Sequence, residues 1–357
     1  MHAAVCREFG AGFEIEPVEL ASPREDELVV RIAACAVCHS DLTFASGGWG
    51  GALPAVYGHE AAGVVAEVGP RAGFEPGQRV LVTMVRACGA CACCSAGLHG
   101  NCEAVPRDEP ALRDRSGRPV LQGMATAGFA ERALIHRSQA VALPDDLPLD
   151  LASLIACGVI TGYGAVANTA RVPAGARVAV IGCGGVGINC IQAARLAHAE
   201  PIVAIDLSPE RLAQARGFGA SHAFSPLEAV EGLRDATAGR GADFVFIAAG
   251  VRAAFEQGLS LLAPGGTAVL VGIPPSGIQA EIDPVAFACG SHRLIGSKMH
   301  IDLQRDVPLL IEHWRAGRLE LDRLVTARFP FERINEAMAT AQAGTGLRNV
   351  VTFGDRP

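Results

Sequence analysis

The sequence predicts an α/β protein that combines a β-rich N-terminal part with a doubly wound parallel sheet. Two observations support this prediction. In residues 1 to about 150, short apolar segments alternate with Gly and Pro turns. From about residue 150 onward, apolar runs without period-2 alternation are separated by helical segments. That is the βαβ pattern of a sheet covered by helices on both faces.

The N-terminal part has segments rich in residues that favour strands, separated by turns such as Gly69-Pro70 and Pro76-Gly77. The predicted strands include residues 27–33, 62–68 and 78–83.

The rest of the chain begins with a Gly-rich helical stretch, 151–169, and then alternates strands and helices. The predicted buried strands are 177–181, 201–205, 243–247 and 267–271, the helices between them include 188–197 and 208–216, and helices 307–316 and 332–342 precede a last strand at 349–353.

Composition excludes several classes of function. The chain has 357 residues, of which 50% are hydrophobic, which suits two domains with large cores. Its net charge is −7, so its overall charge does not attract nucleic acid or an anionic membrane. No apolar stretch of about 18 residues lacks Gly or charge, and we expect no transmembrane helix. Because the N-terminus lacks a secretory apolar core, we expect a cytoplasmic protein whose twelve cysteines are thiols or metal ligands.

Four cysteines form the most specific motif of the chain. Cys88, Cys91, Cys94 and Cys102 have the spacing C-x2-C-x2-C-x7-C in a Gly/Ala-rich loop. Four thiolates suit a tetrahedral Zn²⁺ and leave no open position, so the predicted site is structural. The alternative is a disulfide pair or inert thiols. Cys93 does not fit the spacing and is treated as a bystander.

A dinucleotide site is predicted at Gly182-Cys-Gly184-Gly185-Val-Gly187, which follows a strand and precedes a helix. Asp206 ends the next strand, 19 residues past Gly187. The glycines permit close approach of a pyrophosphate to the helix N-terminus. Asp206 would accept hydrogen bonds from a ribose and repel a 2′-phosphate, which favours NAD over NADP. A simple glycine turn and a solvated strand end are the alternatives.

Two further segments contain residues that could bind a metal or take part in catalysis, Cys38-His-Ser-Asp41 and Gly58-His59-Glu60. Another cysteine, Cys157, lies far downstream. Two thiolates and one imidazole would leave the fourth zinc position open, as in catalytic sites. Sequence spacing does not by itself pair Cys157 with Cys38, and a lone cysteine is otherwise core filler.

Together these residues resemble the zinc-dependent medium-chain alcohol dehydrogenases, over nearly the whole chain. The motifs that carry the resemblance are Cys38-His-Ser-Asp41, Gly58-His-Glu60, the four-cysteine loop, Cys157-Gly-Val-Ile-Thr161-Gly, Gly182 to Gly187, Val271-Gly-Ile-Pro274 and Leu347-Arg-Asn-Val-Val-Thr-Phe353. The resemblance implies a GroES-like β-rich catalytic domain over 1–157, a Rossmann NAD-binding domain over 158–297, and a segment, 298–357, that returns to the catalytic domain.

The resemblance also implies roles at the reacting centre. Cys38, His59 and Cys157 are similar to the ligands of a catalytic zinc, and Glu60 to the carboxylate that approaches this zinc during ligand exchange. Asp41 is similar to the carboxylate that orients the histidine ligand.

Ser40 resembles the hydroxyl that starts proton removal from the substrate. Thr43 stands where many relatives have the histidine that finishes this relay, so the relay would end at water, at the cofactor ribose or at another residue. His39 and Arg348 are similar to pyrophosphate contacts, and Arg211 to a basic residue beside the adenosine.

The remaining implied cofactor contacts are apolar or small. Thr161 and Val186 match positions behind the nicotinamide, Gly185 belongs to the glycine turn, and Val271 and Ile273 belong to the matched Val271-Gly-Ile-Pro274 segment.

Trp49, Met84 and Ile273 are similar to residues of the substrate pocket, and all are apolar. Glutathione-dependent formaldehyde dehydrogenases have an acidic residue near Trp49 and an arginine soon after the fourth loop cysteine. Here those places hold Trp49 and Pro106, and the adjacent Arg107 keeps that subgroup as the alternative. Segment 103–122 aligns poorly with the family.

The sequence therefore predicts an NAD-dependent alcohol dehydrogenase with two zinc ions, acting on medium-chain or aromatic primary alcohols and their aldehydes. Its partners are expected to be small molecules and further copies of itself, in a homodimer or homotetramer. A catalytically inactive protein on a dehydrogenase fold is disfavoured, because all candidate ligands and Ser40 are present.

Overall fold

The computed structural model describes residues 1–104 and 109–354, so Pro106 and Arg107 lie outside the described residues. The chain forms two compact units. Unit 1 comprises Met1–Gly158, Asp302–Glu312 and Leu321–Pro357, and unit 2 comprises Val159–Ile301 and His313–Glu320. The predicted α/β class, with a β-rich part and a parallel sheet, is confirmed.

Unit 1 consists mainly of antiparallel strands. These are β1 (His2–Cys6), β2 (Glu14–Leu20), β3 (Glu27–Ala36), β4 (Ala55–Val56), β5 (Glu60–Val68), β6 (Arg79–Thr83), β7 (Leu112–Asp114), β8 (Pro119–Gln122), β9 (Arg132–His136), β10 (Ala140–Ala142), β17 (Val325–Pro330) and β18 (Arg348–Thr352). Five of them close a small barrel in the order β1-β2-β7-β8-β4. The others form a sheet in the order β10-β6-β5-β3-β18-β17, with β9 also paired to β3.

One row of residues across this sheet determines where the site lies. Val350 of β18 pairs with Ala36 of β3, Ala36 pairs with Glu60 of β5, and Glu60 pairs with Thr83 of β6. Directly opposed residues on neighbouring strands face the same side of a sheet. The end of β3, the start of β5 and the end of β6 therefore lie side by side at the same end of these neighbouring strands.

The strands of unit 2 are parallel. They are β11 (Val178–Ile181), β12 (Ile202–Ile205), β13 (His222–Phe224), β14 (Ala242–Ile247), β15 (Leu262–Leu270) and β16 (Arg293–Gly296). Their order is β13-β12-β11-β14-β15-β16. The strand order reverses at β11, which pairs with β12 on one side and β14 on the other. Such a reversal is where ligands bind, at the carboxyl ends of the strands.

The helices are short, and one long helical run contains π-helical turns. The α-helices are α1 (His39–Ala45), α2 (Ala92–Ser95), α3 (Leu149–Leu154), α4 (Ile160–Tyr163), α5 (Gly185–Leu196), α6 (Pro209–Gly217), α7 (Ala229–Ala236), α8 (Arg252–Ser260), α9 (Pro284–Cys289), α10 (Leu303–Arg315) and α11 (Ile334–Gln342). The 3₁₀ turns are His99–Asn101, Gly123–Ala125, Arg137–Gln139, Asp322–Leu324 and Phe331–Arg333. The π-helical turns are Ile155–Val159 and Gly164–Ala170.

The run Leu149–Ala170 is long and apolar enough to cross a membrane by length and composition. However, 83% of its most apolar window is buried inside the protein, as in a core helix. By itself this helix is therefore only weak evidence for a membrane span.

Several predicted boundaries differ from the structure, and two elements begin at least one helical turn's length of chain earlier than predicted. β15 begins at Leu262 rather than at residue 267, because a register shift against β14 accommodates Pro264, Gly265 and Gly266 within the strand. α10 begins at Leu303 rather than at residue 307. The carboxylate of Asp302 accepts hydrogen bonds from the N–H groups of Gln304 and Arg305, and this cap starts the helix one turn earlier.

The core of unit 1 contains a buried phenol. The Tyr57 ring stacks on Phe44, with centroids 5.8 Å apart, and meets Phe13 edge-on at 6.4 Å. Within the described residues its hydroxyl has no hydrogen-bond partner, and burial raises the pKa of Tyr57 to about 12. The ring therefore contributes packing, whereas the hydroxyl is buried without compensation.

We expect Tyr57→Phe to leave the thermal midpoint unchanged or to raise it, because the variant keeps the ring and removes an unsatisfied group, worth up to about 1 kcal/mol. Tyr57→Leu is the control and should lower the midpoint, because it removes the aromatic contacts. The measurement is thermal unfolding of the three proteins in parallel. A midpoint that falls as far in Tyr57→Phe as in Tyr57→Leu would show that the hydroxyl is bonded.

Candidate metal centres and dinucleotide site

Three segments of unit 1 bring four candidate ligands together. Cys38 follows β3 and precedes α1, His59 and Glu60 lie at the start of β5, and Cys157 lies in the π-helical turn Ile155–Val159. Their ligand atoms lie within 4.8 Å of one another, and all four residues are buried. The structure thus joins Cys157 to Cys38 and His59, which sequence spacing alone did not do.

The carboxylate of Asp41 connects two of these segments. Its Oδ2 accepts a hydrogen bond from the backbone N–H of Cys38 at 3.0 Å. Its Oδ1 lies 3.1 Å from His59 Nδ1 and accepts from the N–H of Gly58 at 3.0 Å. Asp41 is fully buried, so these bonds compensate the burial of its charge.

This arrangement leaves one nitrogen of His59 for a metal. Nδ1 is engaged by Asp41, while Nε2 is buried and makes no hydrogen bond within the described residues. A carboxylate on one ring nitrogen and a metal on the other is the usual arrangement of a histidine ligand. The two thiols and this nitrogen are three donors that fit Zn²⁺ with a fourth position open to a substrate, and the Glu60 carboxylate lies close by.

Neighbouring groups shift the pKa values of the candidate ligands. A hydrogen bond from Cys157 lowers the pKa of the Cys38 thiol well below its ordinary value. The same bond and burial raise the pKa of Cys157 well above it. Burial alone would lower the pKa of His59, but the charges of Asp41 and Cys38 raise it. A metal would displace these protons, because it binds thiolates and neutral imidazole.

Glu60 and Arg348 form a buried ion pair beside the ligands. Arg348 Nη2 donates to Glu60 Oε1 at 2.9 Å, and Nη1 donates to the carbonyl of Val37 at 3.3 Å. Burial raises the pKa of Glu60, although Arg348 opposes the shift. A Cβ at position 158 would lie 1.9 Å from Arg348 Nη2, so the ion pair requires Gly158 after Cys157. The implied pyrophosphate contact of Arg348 stays a prediction.

The other residues expected near the reaction lie on α1 and close to it. Ser40 and Thr43 belong to α1, and the Thr43 hydroxyl donates to the carbonyl of His39 at 2.9 Å. Trp49 is half-buried and meets the ring of Phe44 edge-on, with centroids 5.0 Å apart.

Two further expected pocket and cofactor residues lie in different surroundings. Met84 is half-buried directly after β6, whereas Ile273 is 59% exposed after β15.

The four-cysteine loop forms the second cluster. The ligand atoms of Cys88, Cys91, Cys94 and Cys102 lie within 4.8 Å of one another, and none of the twelve cysteines forms a disulfide. Backbone N–H groups point at the sulfurs. Those of Ala90 and Cys91 lie 3.4 and 3.3 Å from Cys88 Sγ and lower the pKa of Cys88 to about 6.

Cys93 lies outside this set. Its Sγ lies 3.7 Å from Glu103 Oε1, and burial together with that carboxylate raises the pKa of Cys93. Cys93 is therefore a neighbour of the loop site and a matched control for it.

In unit 2 the glycine turn joins β11 to α5. Gly182 has a φ of +90°, and a Cβ at Gly187 would lie 1.7 Å from the Gly182 carbonyl oxygen. These two positions require glycine. A Cβ at Gly184 would meet no atom of the described residues within 4 Å, so space remains at the N-terminus of α5 for a phosphate group.

Asp206 lies at the end of β12 and holds the loops around it. Its Oδ2 accepts from the N–H of Cys183 at 2.7 Å, and its Oδ1 accepts from the N–H of Ser208 at 2.9 Å. Ser208 caps α6 by accepting from the N–H of Arg211 at 3.3 Å. Asp206 thus stabilises the glycine turn, a role that sequence analysis did not predict.

The remaining cofactor candidates lie on three segments of unit 2. Thr161 is on α4, Gly185 and Val186 begin α5, and Val271 is buried directly after β15. At Gly162 a Cβ would lie 2.7 Å from backbone atoms of Asn189 and Cys190. This glycine therefore permits the close packing of α4 on α5.

Comparison with known proteins adds independent evidence. Residues 24–145 match the alcohol dehydrogenase GroES-like domain, and residues 185–313 match the zinc-binding dehydrogenase domain. The chain is 34% identical to geraniol dehydrogenase of Castellaniella defragrans, over 98% of this chain and 97% of that protein. It is 30% identical to S-(hydroxymethyl)glutathione dehydrogenase of Paracoccus denitrificans, over 98% of this chain and 99% of that protein.

A solved structure agrees with these relatives. Benzyl alcohol dehydrogenase of Acinetobacter calcoaceticus superposes with a TM-score of 0.92 at 28% identity, over 99% of each chain. Matches to both domains, in the expected order and over almost the full length, leave one conclusion. This chain belongs to the zinc-dependent alcohol dehydrogenases of the medium-chain dehydrogenase/reductase superfamily.

Proposed function

We propose that the protein interconverts primary alcohols that carry a medium-length or aromatic tail with their aldehydes, using NAD. The observation that carries this proposal is the buried cluster of Cys38, His59 and Cys157, in which His59 Nε2 has no hydrogen-bond partner within the described residues. Three such ligands would hold one zinc and leave a position for the substrate oxygen.

When bound, zinc supplies Lewis acidity, which polarises a carbonyl and lowers the pKa of an alcohol, and the nicotinamide supplies the hydride carrier. Asp41 keeps His59 in the tautomer that leaves Nε2 available to a metal. Ser40 Oγ receives the proton of the substrate hydroxyl and passes it on. Thr43 is the next hydroxyl along α1, and its own donor is engaged by the His39 carbonyl. The relay therefore continues through water, the cofactor ribose or another residue.

We propose that the four-cysteine loop binds a second, structural zinc, giving two per chain. The N–H groups directed at Cys88 support this proposal, because they stabilise a thiolate before any metal arrives. The loop offers no fifth ligand from Cys93.

NAD is the proposed cofactor because of the carboxylate of Asp206. It is 8% exposed and already accepts two backbone hydrogen bonds, so its negative charge is fixed near the ribose position of the fold. A 2′-phosphate brought there would meet this charge. Arg211, in the first turn of α6, is the residue that would moderate the repulsion.

The substrate class follows from the apolar pocket candidates and the relatives. Trp49 and Met84 offer no counter-ion for the carboxylates of a glutathione adduct. Proteins similar to this chain are named for geraniol and benzyl alcohol. The second candidate is oxidation of S-(hydroxymethyl)glutathione, because another relative is named for that activity at 30% identity.

We also propose a cytoplasmic homodimer or homotetramer, with a catalytic domain over 1–157, an NAD-binding domain over 158–297 and a returning segment over 298–357. Support for self-association comes from an exposed apolar stretch in unit 2 that contains Ile278, Ile282 and Val285. It precedes β16, which is an edge strand of the described sheet. Exposed apolar surface beside a sheet edge is typical of an interface.

The two metal sites should respond differently to loss of one thiol. We expect two zinc ions per chain in the native protein and one in Cys157→Ser, which should stay folded while turnover falls at least about 100-fold. Cys94→Ser should lower the thermal midpoint, since a structural zinc contributes to folding directly. Elemental analysis, thermal unfolding and NAD⁺ reduction are the measurements.

Cys93→Ser is the matched control for Cys94→Ser and should keep both ions and full activity. One zinc in the native protein, or an active Cys157→Ser, contradicts the assignment.

The charge of Asp206 should set the cofactor preference. We expect kcat/KM with NAD to exceed that with NADP at least about tenfold, which corresponds to about 1.4 kcal/mol. Asp206→Asn should reduce this ratio by removing the repulsion of the 2′-phosphate. Asp235→Asn, which neutralises an exposed carboxylate of α7, should not change the ratio. Equal kcat/KM for the two cofactors in the native enzyme would show that Asp206 does not discriminate.

An apolar pocket should give longer alcohols a higher kcat/KM. We expect kcat/KM to rise about fourfold per buried methylene from ethanol towards hexanol, since each is worth about 0.8 kcal/mol, and to be high for benzyl alcohol. Trp49→Ala should flatten this dependence. The comparison includes formaldehyde with glutathione. If that reaction is the fastest by a wide margin, the second candidate function replaces the first.

A further inference from the structure

A buried hydroxyl lies beside the ligand that comes from farthest along the chain. Thr83 is the last residue of β6 and is fully buried. Its Oγ1 donates to the backbone carbonyl of Ala156 at 2.6 Å and receives the N–H of Val85 at 3.4 Å. The hydroxyl therefore acts both as a donor and as an acceptor, and these two backbone contacts fix the rotamer of the Thr83 side chain.

The carbonyl that it binds belongs to the peptide group immediately before Cys157. Because a peptide group is planar, holding the Ala156 oxygen also holds the nitrogen of Cys157 and restricts the direction of its side chain. The surrounding turn, Ile155–Val159, is π-helical. Such turns are rare, have an altered hydrogen-bond register and occur frequently at functional sites.

Thr83 is itself anchored to the other ligand segments. It pairs across the sheet with Glu60, the residue after His59. The side-chain amide of Gln139 donates to the carbonyl of Thr83 at 3.0 Å and to that of Ala125 at 2.9 Å. The strand end that carries Thr83 is therefore fixed relative to the start of β5.

From this geometry we propose that Thr83 is a positioning residue for the metal ligand Cys157, and that it acts through the Ala156 carbonyl. The proposal rests on the proposed function, since it takes Cys157 as a zinc ligand. Asp41 orients Cys38 and His59, and Thr83 does the same for the third ligand. Loss of the hydroxyl leaves the Ala156 carbonyl buried without this donor and the turn free to relax, so the zinc should dissociate faster.

The chain offers a matched control for a purely structural role. Thr237 is also buried, and its Oγ1 donates to the carbonyl of Leu233 at 2.6 Å. It lies just after α7 in unit 2, whereas the metal ligands lie in unit 1. Thr237→Val therefore removes the same kind of hydrogen bond without touching a metal ligand.

The experiment measures zinc release to an excess of a chromogenic chelator from the native protein, Thr83→Val, Thr83→Ser and Thr237→Val. Cys157→Ser identifies the phase that belongs to the catalytic zinc. In Thr83→Val this phase should be about 10- to 100-fold faster, the usual effect of removing a group that supports a ligand. The phase of the four-cysteine loop should not change.

Thr83→Ser should restore the native rate, because it keeps the hydroxyl. Thr237→Val should lower the thermal midpoint without changing either phase. In the cobalt-substituted proteins, the thiolate-to-metal absorption should shift in Thr83→Val alone. If Thr83→Val does not fold, Thr83→Cys takes its place. Its weaker donor should give faster release than Thr83→Ser.

Release at the native rate from Thr83→Val, or from Thr83→Cys in its place, overturns the proposal. So does an effect that Thr237→Val shares. A native protein with no zinc phase that depends on Cys157 would instead overturn the proposed function, and the role of Thr83 with it.

Discussion

The register of the seven-stranded sheet is the constraint on which the candidate metal site depends. Ala36, Glu60 and Thr83 form one row across β3, β5 and β6, and Val350 extends it into β18. Cys38, His59 and Arg348 each lie one or two residues from this row. A slip of one residue in any of these strands would turn its side chains to the opposite face. Strand pairing therefore brings the segments of Cys38, His59 and Arg348 together without the help of a metal.

Hydrogen bonds between buried polar groups then fix the positions of the ligand segments that strand pairing has brought together. Asp41 binds the Cys38 and His59 segments with one carboxylate, and Thr83 reaches the turn of Cys157. Arg348 neutralises Glu60 in surroundings where an unpaired carboxylate would be costly. Each of these groups is buried, so removing one leaves its partner unsatisfied. The candidate ligands are consequently held in place by protein groups, whether or not a metal is bound.

Local patterns were enough to predict the strands of unit 2, the glycine turn and the four-cysteine loop, because each depends on residues close in sequence. The grouping of Cys157 with Cys38 came from family resemblance, since 118 intervening positions separate them in the sequence. The π-helical turn, the ion pair of Arg348 with Glu60 and the bond from Thr83 to Ala156 carry no local signature. They arise where distant segments pack, which explains why sequence analysis missed them.

The two cysteine clusters differ in how much they depend on a metal to hold their shape. The loop ligands Cys88 to Cys102 come from one short segment, and their polar contacts are mainly backbone N–H groups of the same loop. Such a segment buries little apolar surface, so a metal bound there would supply much of its folding free energy. Cys38 and His59 instead lie beside the ends of β3 and β5, and Cys157 lies within the π-helical turn Ile155–Val159, and all three are buried in unit 1. A metal bound there could therefore be removed without loss of the fold.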